Sequence, residues 1–76
     1  MTFDEYRQYV SELAKVPVHR IKDEATFRED LGVDSLQMVN LIVGLTERFG
    51  ADPGNLSSMA DMDTVGKMYR CLNGGD

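Results

Sequence analysis

Ser35 is the residue best placed to do chemistry: it follows an acid, Asp34, and opens a stretch of helical apolar periodicity. A serine at the start of a helix sits where backbone amides face outward and the helix dipole favours anions. A phosphodiester on Ser35 would be well accommodated there. A second chemistry for the same hydroxyl is nucleophilic hydrolysis, which needs a base and a third group to orient it. The sole histidine, His19, lies beside Arg20 in a different segment. Neither a Gly-x-Ser-x-Gly turn nor a strand precedes the serine, so that chemistry is set aside. Asp61-Met62-Asp63-Thr64-Val65-Gly66 mimics the first half of a calcium loop. Val65 stands where an oxygen ligand is required and Leu72 replaces the closing glutamate, so a capped helix start is the better reading. Cys71 has no second cysteine or histidine near it in sequence to share a metal, and it reads as a half-buried helix residue.

These residues must be positioned by helices, because no segment alternates like a strand. A first helix is predicted over Phe3 to Lys15, with Thr2 and Glu5 as a capping box. Phe3, Tyr6, Val10, Leu13 and Ala14 form its apolar stripe, with Arg7, Gln8, Ser11 and Glu12 opposite, and Pro17 ends it. Val18 to Asp34 reads as a long ordered loop pinned by Val18, Ile21, Ala25, Phe27 and Leu31 and closed by Gly32. A second helix is predicted from Ser35 or Leu36 to Phe49, capped by Gly50. Its core face is Met38, Leu41, Ile42, Leu45 and Phe49, yet Leu36, Val39 and Val43 make a second apolar stripe on nearly the opposite side, beside Asn40 and Glu47. Asp52-Pro53-Gly54-Asn55 is a turn, and Leu56 to Ala60 reads as a short helical turn. Asp63 or Thr64 can cap a last helix over Val65 to Leu72, with Val65, Met68, Tyr69 and Leu72 inward. The expected fold is all-α: a small four-helix bundle of three main helices and one short one, with a long loop between helices 1 and 2.

Seventy-six residues make one domain with a small core and no disulfide framework. The lone cysteine fits a reducing, cytoplasmic setting. The start Met-Thr-Phe-Asp-Glu does not resemble a signal peptide, and no apolar run is long enough to span a bilayer. Met1 and the short tails favour a free-standing protein, and a monomer is expected. A net charge of −5 and a pI of about 4.6 oppose binding to nucleic acid or anionic lipid, and favour partner proteins with basic surfaces. A DNA-binding helical domain is disfavoured further because the second helix offers only Arg48 as a cation. A plain helical interaction module would explain the double-striped helix and the charge, but would leave the placement of Ser35 a coincidence.

The segment Asp30-Leu31-Gly32-Val33-Asp34-Ser35-Leu36 resembles the attachment motif of the acyl carrier protein family. The resemblance continues through Val39, Leu41 and Glu47-Arg48-Phe49-Gly50, resumes at Thr64-Val65-Gly66, and covers nearly the whole chain. It implies that a phosphopantetheinyl transferase, using coenzyme A and magnesium, modifies Ser35 with 4'-phosphopantetheine. Asp34 would support the donor. The arm's thiol would carry acyl groups as thioesters to enzymes of fatty acid, polyketide or related biosynthesis, such as ketosynthases and acyltransferases. The domain itself would perform no bond chemistry. The resemblance further implies partner docking through Leu36, Val39, Asn40, Val43 and Glu47. It also implies an acyl cleft among Phe27, Leu31, Ile42, Leu45, Leu56, Ala60, Val65 and Met68, residues that a plain solid core would account for equally well. One departure from the family bears on partners. Gln37, Asn40 and Thr46 stand where fatty-acid-synthesis carriers tend to have acids, and the acidity lies instead at Asp23, Glu24, Glu29, Asp30 and Asp34. That points to a dedicated partner set, as in polyketide or other specialised pathways.

Overall fold

The computed structural model describes residues 1–56 and 62–72, so of the short helix expected over Leu56 to Ala60 only Leu56 can be placed. The described residues hold three α-helices, α1 (Phe3–Ala14), α2 (Ser35–Phe49) and α3 (Val65–Leu72), with 3-10 turns at Val18–Arg20 and Pro53–Asn55. Among the described residues the expected all-helical architecture holds, with its three main helices in place.

The capping box of α1 forms in both directions. Glu5 N–H donates to Thr2 Oγ1 at 3.1 Å, and Thr2 N–H donates to Glu5 Oε1 at 2.8 Å. These bonds hold the Glu5 carboxyl below its ordinary value. The helix stops one residue short of expectation: Lys15 turns left-handed at φ 59°, and its N–H donates to Ser11 O. At the end of α2, Gly50 takes the left-handed cap that was expected, at φ 68°.

Packing confirms the two inner stripes. Tyr6 and Val10 of α1 and Leu41 and Leu45 of α2 are fully buried, with Met38, Ile42 and Phe49 packed around them. Arg7 departs from its expected place on the outer face of α1. It is half-buried, donating from Nε to Ile21 O at 2.7 Å and from NH2 to Val18 O at 2.8 Å. Its guanidinium gives Ile21 O a donor and adds a second donor to Val18 O, which already accepts from Ile21 N–H at 3.0 Å, and so fixes the start of the loop.

The long loop is held by its apolar anchors and by α3. Ile21, Ala25, Phe27 and Leu31 are buried as expected, Val33 joins them, and Val18 is only half-buried. Val65 N–H donates to Ala25 O and Gly66 N–H to Asp23 O, both at 2.9 Å, while Phe27 N–H donates to Asp63 O at 3.3 Å. Thr64 Oγ1 accepts from Lys67 N–H at 3.3 Å. The first amides of α3, which no helical carbonyl can reach, are therefore satisfied largely by the loop. A Cβ at position 66 would lie 2.0 Å from Asp23 Oδ1, so any side chain there must displace the Asp23 carboxylate.

Gly44 also has a packing reason. A Cβ there would lie 1.7 Å from the Tyr9 hydroxyl and 2.6 Å from its Cζ. Tyr9 is in turn set edge-on to Phe49, with Arg48 5.4 Å above its ring. Gly44→Ala gains about 1 kcal/mol of helix propensity but must expel that ring, at a cost of about 1–3 kcal/mol. The expected outcome of urea unfolding is net destabilisation in the wild-type background and net stabilisation in Tyr9→Ala, where the clash is gone. The same sign in both backgrounds would rule out Tyr9 as the reason for the glycine.

Candidate functional site

Ser35 is the first residue of α2 and is exposed. Asp34 is the helix N-cap: Oδ1 accepts from Gln37 N–H at 2.8 Å, and Gln37 Oε1 accepts from Asp34 N–H at 3.2 Å. This second capping box was not anticipated, although Asp34 and Gln37 carry its spacing in the sequence. It gives Asp34 a structural role whatever else the carboxylate does. Asp34 O takes the Met38 N–H at 2.9 Å. The cap leaves the Ser35 and Leu36 amides without acceptors among the described residues, so the first turn can receive an anion on Ser35.

Beside Ser35 opens a cleft of about 420 Å³, lined by Phe27, Arg28, Ser35, Met38, Val39, Ile42, Met62 and Asp63. Its floor is apolar and its rim carries the two charges. Of the residues expected in a cleft, Phe27 and Ile42 line it. Leu45, Val65 and Met68 are fully buried and Leu31 nearly so, so they form the solid core beneath. Leu56 packs against that core, and Ala60 lies outside the described residues. Arg28, Met38 and Met62 were missed. Met38 was read as core alone, and no local pattern marks Arg28 or Met62 as neighbours of Ser35.

The second stripe of α2 is exposed: Leu36 by 70%, Val39 by 57% and Val43 by 49%, the large exposed hydrophobics among the described residues. Asn40 and Glu47 are exposed with them. Three of the five loop acids are occupied within the domain. Asp23 pairs with Arg70 at 3.2 Å, Asp30 accepts from Thr26 N–H at 2.8 Å and from its hydroxyl, and Asp34 caps α2. Of these three, only Asp23 is matched by a cation; Asp30 and Asp34 stay exposed and bonded to neutral groups, so acidity is retained beside Ser35.

His19 is exposed and lines a separate polar depression with Arg20, Lys22, Glu24, Ala25 and Asp30. The Ser35 cleft has no histidine among its described lining residues, so nothing there could serve as the imidazole base of a hydrolase. No group of described residues could hold a metal ion, and no described helix is long and apolar enough to cross a membrane.

Comparison with known proteins follows the same line. The profile of the phosphopantetheine attachment site family matches residues 6–72. The acyl carrier protein of Wolinella succinogenes is 40% identical over 70 residues, covering 92% of this chain and 91% of that protein. The acyl carrier protein of Saccharopolyspora erythraea is 36% identical over 64 residues, 84% of this chain and 66% of its own length. A third, from Campylobacter jejuni subsp. doylei, is 42% identical over 48 residues, 63% of this chain and 62% of that protein.

Proposed function

Since the chain belongs to the phosphopantetheine attachment family as an acyl carrier protein, we propose that its arm is attached at Ser35 and that residues 1–76 act as one carrier unit. The protein carries acyl intermediates in biosynthesis and is not itself an enzyme. The observation that carries the assignment to Ser35 is its exposed hydroxyl on the first turn of α2, beside amides that the Asp34 cap leaves free.

Attachment forms a bond from Ser35 Oγ to phosphorus and breaks the pyrophosphate link of coenzyme A. The adenosine bisphosphate leaves, and the hydroxyl proton passes to a base of the transferase. Magnesium brought with the donor would neutralise the pyrophosphate, and Asp34, the adjacent acid that caps α2 through Gln37 N–H, would support the donor. Once attached, the arm supplies a thiol that holds acyl groups as thioesters. Intact mass after incubation with a broad-specificity phosphopantetheinyl transferase, coenzyme A and magnesium tests the site, with Ser35→Ala as the control.

Docking to the transferase and to acyl-processing enzymes such as ketosynthases and acyltransferases falls to Leu36, Val39 and Val43, flanked by Asn40 and Glu47. The net charge of −5 steers the domain toward basic surfaces on these enzymes in the cytoplasm, while the apolar stripe makes the contact. Weak contacts of this kind suit a carrier that must leave each partner quickly. Leu36→Ala and Val43→Ala are each expected to raise the KM of the transferase for the unmodified protein by about tenfold. Their thermal midpoints should stay near wild type, because both side chains are exposed. An unchanged KM in both variants would remove the stripe from the docking surface.

A further inference from the structure

We propose that Arg28 is a positioning residue for an anion at the mouth of the Ser35 cleft, holding either the phosphodiester that links the arm to Ser35 or a carboxylate at the end of the acyl cargo. The inference rests on the assignment of the arm to Ser35. Arg28 and Ser35 line the same cleft, whose floor of Phe27, Met38, Ile42 and Met62 offers no counter-charge. The guanidinium is exposed, and no carboxylate among the described residues holds it. Of the other arginines, Arg7 is engaged by Ile21 O and Val18 O, Arg70 by Asp23 and Arg48 over Tyr9, while Arg20 lines the separate depression with His19 and is not among the residues lining the Ser35 cleft. Asp63 shares the rim but forms no ion pair with Arg28. It discourages a second anion on its own side, so an anion entering the cleft is drawn toward the Arg28 side. A guanidinium presents paired N–H donors in a plane and matches phosphate and carboxylate oxygens two at a time.

The consequence is directional. With Arg28 holding an anion at the mouth, the arm lies over the apolar floor rather than extending freely from Ser35. Where the anion held is the cargo's own, an acyl group that ends in a carboxylate is preferred over a plain saturated chain.

The test uses phosphorus NMR of the full chain bearing the arm, with loading verified by intact mass, in wild type, Arg28→Gln and Arg28→Lys. Each protein is measured in three forms: with the free thiol, with a butyryl thioester and with a glutaryl thioester. A narrower and shifted phosphorus line in Arg28→Gln with the free thiol, partly restored in Arg28→Lys, assigns the contact to the phosphodiester. A change confined to the glutaryl form, seen in the carboxylate carbon resonance, assigns it to the cargo. Unchanged phosphorus and carboxylate resonances in all three forms of Arg28→Gln would overturn the proposal. An arm that fails to load on Ser35 would instead refute the attachment site, and the mass measurement separates that failure from this one. Circular dichroism melting of the arm-free variants guards against a folding artefact, and Arg28, being exposed, is expected to leave the midpoint in place.

Discussion

Ser35→Ala is expected to abolish the gain of one phosphopantetheinyl group that the wild-type chain shows by intact mass after treatment with a transferase, coenzyme A and magnesium. The effect is all-or-none, because the substitution removes the only oxygen to which the phosphorus can bond at that position. Alanine is tolerated at the first position of a helix, and the Ser35 side chain is exposed, so the variant should fold with an unchanged melting curve. Asp34→Ala provides the graded companion. It removes the acceptor of the Gln37 N–H and should cost roughly 1 kcal/mol of stability, while any loss of modification rate beyond that reports a role toward the donor. Equal mass gain in wild type and Ser35→Ala would place the arm on another hydroxyl.

Tyr6→Ala should be the most damaging of the substitutions considered for the fold itself. The ring is fully buried, packs with Phe3 and Tyr69, and donates from its hydroxyl to Val65 O at 2.8 Å across 59 residues of sequence. Removing it should cost about 3–5 kcal/mol, a large part of the roughly 5–15 kcal/mol available to a small domain. Tyr6→Phe isolates the hydrogen bond. Val65 O keeps its place in the α3 ladder, so the loss is that of one net hydrogen bond, about 0.5–1.5 kcal/mol.

Alkaline titration distinguishes the two contributions. Burial chiefly, and the Asp23 charge after it, push the Tyr6 phenol well above its ordinary value of 10.0. The folded chain thus keeps a proton that the unfolded chain releases near pH 10. Stability from this group is fully present below that pH and falls as pH rises above it, by about 1.4 kcal/mol for each pH unit. In Tyr6→Phe this loss is absent. The gap in urea midpoint between wild type and Tyr6→Phe should therefore narrow above pH 10. A gap that stays constant from pH 8 to pH 11 would show that the phenol is not held neutral by the fold.

Much of the site was legible because it depends on neighbours in sequence. The Thr2–Glu5 box, the stop at Gly50 and the placement of Ser35 at the head of α2 all follow from residue types within four positions of one another. The Asp34–Gln37 box has the same local character and could have been read in advance. Helical periodicity likewise separated the buried Leu41 and Leu45 from the exposed Leu36, Val39 and Val43. Where reading failed, the partners lay far apart in the chain. Arg7 belongs to the polar face of its own helix by periodicity, yet it reaches carbonyls 11 and 14 residues away.

What the amino-acid sequence determined by itself is therefore the three main helices, the caps at Thr2 and Gly50, the two stripes of α2 and the serine at its head, each the result of hydrogen bonds and side-chain faces local to one element. Tertiary structure alone decided that loop carbonyls cap α3, that Gly44 and Gly66 make room for Tyr9 and Asp23, and that Arg28, Met38 and Met62 surround a cleft at Ser35. The physical reason is one of range. A cap or an apolar stripe repeats within a turn of helix, whereas a cleft is the gap left between elements once the core has packed, and its lining depends on distances no single segment encodes.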